Sequence, residues 1–447
     1  MSDTLIAPAA KVPGKHYRWL VLAVLTAVHS THHIDRNVLS VVVEPIRQEF
    51  GLSDSQMGML GSLGYALAFA IAAIPMGYLV DRVNRRNMLV GILALWSIMT
   101  AVCASANSYV QLLLARMGVG IAEAGGAPTA MSMVSDYFPP KQRSTAIGIW
   151  YLSSAIGTGI IFLVGGILAQ SFGWRTVFLV AGIPGLVMGV ILFLVVREPR
   201  RGGSEVIVVD TPEASPEAIP APSADEAEKA ATLSEAFAYV LRRPAILSMM
   251  AGIVLAAAMS SAFALWSVSF LVRVHQMPLA LAGVSIAVAF TVFGIVIPLI
   301  SGLMGDRLSN SKQGHRPERL ALLSATTMTG VVICGVAAAL SGSAVMAVAM
   351  MCLWCGLMLA HNGPANALVL SLLRPRMRGV VVATLQTVAT VVGTGLGPFL
   401  VGVLSDVYGG PNSLRWAIMT GMSLNVVAVL CFLNAARTAR RDSLLDG

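Results

Sequence analysis

Four charged residues stand inside stretches of the chain that are otherwise apolar: Asp35, Arg36, Arg116 and Glu123. A charge at the centre of a membrane helix costs at least ~2.5 kcal/mol, so such a residue must be paired or must line a cavity. Counted at ~1.5 Å per residue, the four lie at overlapping depths, and Arg116 and Glu123 share one helical face. We therefore predict one four-charge cluster without net charge, facing a central cavity. Protonation of Glu123 or Asp35 would then release an arginine to hold an anion; the alternative is a purely structural pair of salt bridges.

Three histidines, His29, His32 and His33, stand at helical spacing just before Arg36. Histidine titrates near neutral pH, so His32 and His33 are candidates for a proton relay, a charge partner or the lining of the cavity. Three histidines could also bind a metal, but on this helix only Asp35 could join them as a carboxylate ligand. We predict no metal site and no cofactor other than protons as the coupling ion.

The second half of the chain offers fewer polar candidates. His361 and Asn362 precede Gly363 in a long apolar stretch and are the predicted polar contribution of this half, with a packing role at a helix bend as the alternative. Phe263 and Trp266 are predicted to be apolar lining of the same cavity.

The composition of the chain indicates that these residues lie in membrane-spanning segments. Of 447 residues, 56% are hydrophobic and only 12% are charged, and the mean hydropathy is +0.77. A soluble domain carries roughly 25% charged residues, so this chain needs lipid to cover its surface. Apolar stretches of about 20 residues, long enough to cross a bilayer, recur twelve times. They begin near Tyr17, Ser55, Met88, Tyr109, Gln142, Trp174, Pro244, Leu279, Arg319, Ala344, Met377 and Leu414.

The two halves of the chain repeat each other. Four positions recur at a single offset of 236 residues: Pro128 and Pro364, Gly157 and Gly393, Gly159 and Gly395, Gly166 and Gly402. Internal duplication of a membrane protein places the binding site at the interface between the halves. We predict an all-α membrane protein of twelve transmembrane helices in two pseudo-symmetric six-helix bundles.

The domain boundaries follow from this pattern. We predict an N-terminal tail over 1–16, a first bundle over 17–199 and a second bundle over 233–436, with a C-terminal tail over 437–447. The segment 200–232 is rich in proline, alanine and acidic residues and is predicted to be a flexible linker. No removable signal peptide is expected.

The distribution of lysine and arginine predicts the orientation. If the N-terminus is cytoplasmic, 24 of the 30 basic residues fall on the cytoplasmic side and four on the opposite side. Basic residues accumulate in cytoplasmic loops, so both termini are predicted to be cytoplasmic, in the plasma (inner) membrane. The net charge of +8 is explained in this way, without a nucleic-acid partner.

A charged motif, Gly77-Tyr78-Leu79-Val80-Asp81-Arg82-Val83-Asn84-Arg85-Arg86, follows the second stretch, and Gly302, Asp306 and Arg307 repeat part of it. Glycine allows helices to approach closely, and the carboxylate and arginines can pair across a closed cytoplasmic face; positive anchoring alone is the other interpretation. The predicted cytoplasmic gate comprises Gly77, Asp81, Arg82, Arg85, Arg86, Arg143, Asp306, Arg307 and Arg378. The motif resembles that of the major facilitator superfamily.

Further segments resemble the Spinster branch of that superfamily, in its bacterial type: His33–Ser40, Phe50–Gly58, Arg116–Ala124, Gly173–Arg175 and Arg197–Pro199. The branch is associated with export of lysophospholipids and sphingoid phosphates in animals. The resemblance implies a monomeric transporter in which Asp35, Arg36, Arg116 and Glu123 drive proton-linked conformational change. The residues that follow Glu123 are smaller than in the animal members.

Three hypotheses follow. The first is a proton-coupled secondary transporter that moves an amphiphilic or lipid-like anion by alternating access. The second is a proton symporter for small organic or aromatic carboxylates, which related branches of the superfamily transport. The third, a receptor or scaffold without transport, fits poorly with duplicated halves and buried charges. A long amphiphile needs an apolar cavity with a lateral opening, whereas a small carboxylate needs a compact polar pocket. An enzyme is not expected, because no plausible catalytic set is present.

Overall fold

The computed structural model describes residues 14–80, 82–199, 233–311, 314–316 and 318–443. Nearly all of these residues are helical. Asp81, the predicted 200–232 linker, residues 1–13 of the predicted N-terminal tail and residues 444–447 of the predicted C-terminal tail lie outside the described residues. Residues 437–443 of the latter continue the last helix.

The first half contains six long spans, two of them built from two helices each. Its helices are α1 (Lys15–Phe50), α2 (Asp54–Gly58), α3 (Gly64–Val80), α4 (Arg85–Ala104), α5 (Tyr109–Glu123), α6 (Gly126–Tyr137), α7 (Pro140–Phe172) and α8 (Trp174–Val195). A π-helical segment, Met59–Leu63, joins α2 to α3. The break at Gly125 separates α5 from α6 directly after Glu123.

The second half repeats this plan after a short helix. Its helices are α9 (Leu233–Leu241), α10 (Pro244–His275), α11 (Leu279–Val288), α12 (Gly294–Ser309), α13 (Glu318–Leu340), α14 (Ala344–Ala360), α15 (Asn362–Leu372), α16 (Pro375–Val388), α17 (Gly397–Tyr408) and α18 (Ser413–Ser443). The π-helical segments Ala289–Phe293 and Ala389–Leu396 join α11 to α12 and α16 to α17. Two-residue strands, Asn310–Ser311 and Gly314–His315, form a small antiparallel ladder after α12.

The predicted fold class is confirmed. Each of the twelve spans begins within three residues of its predicted start. Ten of them, among the described residues, are long and apolar enough to cross a membrane by composition alone. The other two, α1 and α5–α6, carry the four charges that motivated the search for a site.

The repeated glycines explain why the duplication is visible in the sequence. A Cβ added at Gly166 in α7 would lie 2.9 Å from the Leu279 carbonyl at the start of α11, and one at Gly402 in α17 would collide with the Asp54 carbonyl at the start of α2. Both glycines therefore let a helix of one half pack directly on the second span of the other. Gly157 lies likewise against the backbone of α1, within its own half.

The apolar side chains are divided between the interior and the outer surface of the bundles. Leu22, Phe178, Phe270 and Phe432 are fully buried between helices. Ile74 is 82% exposed, and many other aliphatic residues of the spans are exposed to a smaller degree. Such an exposed apolar surface is expected where lipid is the solvent.

The spans end at two faces of the molecule. The face at which α1 and α7 begin carries most of the arginines and is called the basic face below. The other, where α1 ends at Phe50 and α10 ends at His275, is called the opposite face.

Candidate transport site

Asp35 on α1 and Arg116 on α5 face each other in the interior of the first half. Asp35 Oδ1 lies 3.8 Å from Arg116 Nη1, and both side chains are 1% exposed. Thr100 on α4 donates a hydrogen bond of 2.5 Å to the other carboxylate oxygen of Asp35. Three helices therefore meet at this carboxylate, and the predicted charge pair lies where α1, α4 and α5 pack together.

Glu123, the last residue of α5, has different partners. The Tyr65 hydroxyl on α3 donates a short hydrogen bond to Glu123 Oε2, and His32 Nδ1 on α1 lies 3.3 Å from the same oxygen. The Glu123 side chain is fully buried. Within the predicted four-charge cluster the direct contacts are therefore divided: Asp35 pairs with Arg116, whereas Glu123 bonds to His32 and Tyr65.

Arg36 is the fourth of these charges, and it faces a cavity between the two halves. Its guanidinium carbon lies 5.7 Å from the centre of the Tyr65 ring, and that of Arg116 lies 5.8 Å from the same ring. Within the part of the chain that the structure describes, Arg36 makes no ion pair with a carboxylate. A positive charge without a carboxylate partner is therefore presented to the cavity.

The cavity has a volume of about 370 Å³, which is at the small end of the roughly 300–1,000 Å³ of small-molecule sites. Fourteen of the 23 residues that line it have polar side chains. Besides Arg36 and Arg116, these are Asn37, Ser40, Ser62, Tyr65, Ser260, Ser261, His361, Asn362, Asn366, Gln386, Thr390 and Thr394. It is a compact pocket with a positive wall on the first half and amide and hydroxyl groups on the second.

The cavity contains both polar residues predicted from the second half, His361 and Asn362. His361 is buried, and its Nδ1 lies 2.5 Å from the Met358 carbonyl oxygen. Two other amides of this wall, Asn366 and Gln386, were missed in the sequence. The signal that could have identified them is that both are polar residues in otherwise apolar spans.

Phe263 and Trp266 correct the prediction of an apolar lining. Both are buried inside the second half, against Trp354 and other residues of that bundle. The residues of α10 that reach the cavity are instead Ile253, Ala257, Ser260, Ser261, Ala264 and Leu265, so this face contributes apolar as well as hydroxyl groups. Helical spacing identifies the faces of α10, but spacing alone does not show which face meets the cavity.

The histidines of α1 form an aromatic cluster within the first half. His29 stacks on Trp150 with ring centres 3.8 Å apart, and its Nδ1 lies 2.6 Å from Ser153 Oγ. His33 meets the rings of His29 and His32 edge-on. Of the two predicted candidates, the structure places His32 at Glu123, whereas His33 reaches neither that carboxylate nor the cavity.

The predicted gate at the basic face does not connect the two halves through Arg85. This residue is buried and binds Asp136 at 2.6 Å and Glu198 at 2.8 Å, both in its own half. Arg86 donates its backbone N–H to the same Glu198. Arg85 therefore fixes the start of α4 to α6 and to the end of α8.

The contacts described for two other gate residues also lie within one half. Arg82 lies over the Tyr78 ring, and Arg378 donates to the Leu373 carbonyl. Asp306 and Arg307 are exposed in the last turn of α12, and Arg143 lies in the first turn of α7. A Cβ at Gly77 would meet nothing within 4 Å, so the predicted close approach of helices does not occur there.

The ion pairs described between the halves lie at the opposite face instead. Arg273, near the end of α10, donates to Glu44 at 2.5 Å and to both carboxylate oxygens of Asp54 at 2.7 Å. Asp406 on α17 accepts the backbone N–H groups of Asp54 and Ser55 at 2.8 Å. We call Glu44, Asp54, Arg273 and Asp406 the outer latch; it holds the halves together at the face remote from the basic loops.

Comparison with known proteins identifies the family. A family model described as Major Facilitator Superfamily matches residues 25–398. The chain belongs to the major facilitator superfamily. It is therefore an integral membrane transporter, as members of the superfamily are, and not an enzyme.

Relatives within the superfamily confirm the resemblance to Spinster. A bacterial homolog of the human lysosomal transporter Spinster, solved in an inward-facing and unoccupied conformation, superposes with a TM-score of 0.81 at 27% identity, covering 96% of this chain and 99% of that one. Human protein spinster homolog 1 is 28% identical over 70% of this chain and 58% of its own length. An MFS-type efflux pump of Mycolicibacterium smegmatis is 29% identical over 96% of this chain and 95% of its own.

Proposed function

We propose that this protein is a proton-coupled secondary transporter that moves a small organic anion by alternating access, with Arg36 as the ligand of the anion. The observation that carries the proposal is the position of Arg36 on the cavity wall without a carboxylate partner among the described residues. An uncompensated charge beside a cavity inside a membrane protein marks a substrate pathway. An anion would supply the missing partner.

Asp35 and Glu123 are the proposed proton carriers. Each is buried and holds a partner that would be released if the carboxylate took up a proton: Arg116 in one case and His32 in the other. Arg116 also lines the cavity, so its release would add a second positive charge beside Arg36. Proton uptake and anion binding would then favour each other, which is the requirement for coupling.

The size and polarity of the cavity favour a small carboxylate over a lipid-like amphiphile. Eight of the 16 residues that the second half contributes to the cavity have polar side chains, and an acyl chain against these groups would remove their hydrogen bonds to water without replacing them. A galactarate/D-glucarate transporter of Bacillus subtilis is also 31% identical over 44% of this chain and 44% of its own length. Both observations support the second of the functions suggested by the sequence.

A lipid-like anion remains the second candidate substrate. It is favoured by the similarity to the Spinster homolog, which extends over nearly the entire chain. For either substrate we propose a monomer in the inner membrane with the basic face and both termini cytoplasmic, as the arginine distribution predicts. The outer latch then closes the external side, and the structure corresponds to an inward-facing state.

Proteoliposomes that contain a pH-sensitive dye test the proposal. We expect D-glucarate, added with a pH gradient, to cause proton movement that Arg36→Gln abolishes. The matched control is Arg175→Gln, since Arg175 is an arginine of the opposite face that binds Glu49 in its own half. Proton movement with 1-palmitoyl lysophosphatidate alone would favour the second candidate. An unchanged response in Arg36→Gln would contradict the proposed role of this residue.

A further inference from the structure

A second concave site lies on the outer surface of the first half, away from the central cavity. It is a groove of about 720 Å³ between α1, α7 and α8, roughly twice the volume of the central cavity. Ala27 and Ile34 of α1, Ile156 and Ile160 of α7, and Ile183 of α8 are among its walls. Among the residues that the structure describes, no charged side chain lines it.

The groove lies in the middle of the membrane-spanning region. Its residues on α8 run from Ile183 to Met188, near the centre of the helix Trp174–Val195. On α1 they run from Ala23 to Ile34, which begins about 12 Å above Lys15 at ~1.5 Å per residue. The groove therefore opens at the depth of the hydrocarbon core of a bilayer.

The floor of the groove offers almost no hydrogen-bonding capacity. The Ser30 hydroxyl donates to the Thr26 carbonyl at 3.0 Å, and the Thr31 hydroxyl donates to the Val28 carbonyl at 2.7 Å. Both hydroxyls are thus bound to their own helix, and only Thr26 Oγ1 is without a partner. A floor of this kind does not hold water, which needs two or more polar partners.

The rim of the groove continues into the apolar outer surface. Ile156, Ile183 and Val187 are 47%, 57% and 51% exposed, whereas Ile34 on the floor is 9% exposed. The described residues of the rim are apolar, unlike the polar rim of an interface between soluble proteins. The rim is instead continuous with the surface that lipid covers in an integral membrane protein.

We infer that this groove is a binding site for one acyl chain of a bilayer phospholipid, separate from the transport site. An acyl chain in the groove would contact α1, α7 and α8 at once. An acyl chain on a convex helix surface is contacted by the protein on one of its sides only. The occupied groove would also keep water from the back of α1 beside Asp35, because Ile34 forms part of its floor.

Photochemical crosslinking tests this inference. The protein is reconstituted in nanodiscs that contain a small fraction of phosphatidylcholine with a diazirine in one acyl chain, and adducts are mapped by mass spectrometry after illumination. We expect adducts on residues of the groove at least fivefold above those on equally exposed aliphatic residues elsewhere. Adducts distributed in proportion to exposure would overturn the inference, because they would show ordinary boundary lipid.

Substitutions at Ala27 test the same inference by comparing adducts at the same residues, so that differences in the diazirine's reactivity towards different side chains do not affect the result. Ala27→Phe fills the groove and should lower the groove adducts at least fivefold, and Ala27→Leu should lower them less. The control Ile74→Phe adds a ring at an exposed position outside the groove and should leave them unchanged. Only variants that elute as the parent protein does are compared. Unchanged adducts in a folded Ala27→Phe protein would also overturn the inference.

Discussion

At the scale of single residues, the two buried carboxylates Asp35 and Glu123 differ in the groups that contact them. Asp35 is the ion-pair partner of the buried Arg116 among the described residues, whereas Glu123 is held by a histidine and a phenol. Removing one member of a buried ion pair leaves an uncompensated charge, while His32 and Tyr65 can also be neutral. The same chemical change at the two sites should therefore have different consequences for stability.

We expect Asp35→Asn to lower the free energy of unfolding by about 3–5 kcal/mol, because it leaves Arg116 buried without its carboxylate. Glu123→Gln should cost about 1 kcal/mol, because the amide still accepts a hydrogen bond from Tyr65. Thermal unfolding of both variants in the same detergent measures the difference. Equal losses of stability would contradict the assignment of Asp35, and not Glu123, as the direct ion-pair partner of Arg116. In proteoliposomes, Glu123→Gln should nevertheless abolish proton movement.

Sequence reasoning identified the charged residues of the site and missed most of its neutral ones. Asp35 and Arg116 were recognisable because a charge is rare and costly in an apolar span. Asn366 and Gln386 carry no charge, and helices tolerate them in many places, so their types alone do not place them at a cavity. Arg273 was counted among the few basic residues of the outer side, and the sequence did not show that two carboxylates bind it.

At the scale of the helices, close packing depends on particular glycines. Gly157 of α7 lies against the Ser30 carbonyl of α1 so closely that a Cβ would overlap it, whereas a Cβ at Gly148 of the same helix would meet nothing within 4 Å. The helix α1 carries Asp35 and Arg36, so its distance from α7 affects the position of the site. The repeat in the sequence revealed that Gly157 matters, and its neighbour in space became visible only in the structure.

We expect Gly157→Ala to lower the free energy of unfolding by about 1–3 kcal/mol, because α1 and α7 must separate to admit the methyl group. Gly148→Ala, the matched control, should be neutral or should stabilise the protein by up to about 1 kcal/mol, since alanine favours helix more than glycine does. Thermal unfolding in detergent distinguishes them. If the two alanine variants unfold at the same temperature, the α1–α7 contact is looser than described.

At the scale of the whole molecule, the ion pairs that the structure describes between the two halves lie at one face. The outer latch joins α10 and α17 of the second half to α1 and α2 of the first. Its members Glu44 and Asp54 are about 5% exposed, whereas Asp406 lies at the surface. The predicted gate residues of the basic face, in contrast, bind within their own halves where their contacts are described. Charge pairs at alternating faces are a means by which a transporter selects one of two states.

We expect Arg273→Gln to shift the population from the state with a closed opposite face towards the state with an open one. Removing this arginine takes away the cation that the second half supplies and leaves Glu44 and Asp54 with Arg47 of their own half, at 3.5 and 3.9 Å. The cost applies only while the latch is closed, and it should stay below the ~3–5 kcal/mol of a buried charge left without any partner. Distances between spin labels on the two halves at the opposite face would report the shift. Arg175→Gln, which breaks an ion pair at the same face within one half, should leave the distances unchanged. An unaltered distribution in Arg273→Gln would contradict the assignment of the latch.

The π-helical segment Met59–Leu63 affects which side chains of its span face each of the two bundles. A π turn contains one residue more than an α-helical turn, so the residues beyond it are rotated by about 100° relative to an uninterrupted helix. Asp54, before the segment, accepts a hydrogen bond from Arg273 of the second half. Ser62, within the segment, donates one to the Gly395 carbonyl of the second half. Beyond it, Tyr65 faces Glu123 of its own half. Tyr65 also lines the cavity between the halves, and Ala66 still packs beside Gly395, so α3 keeps its contact with the second half beyond the added residue. One span therefore connects the interface between the halves to Glu123.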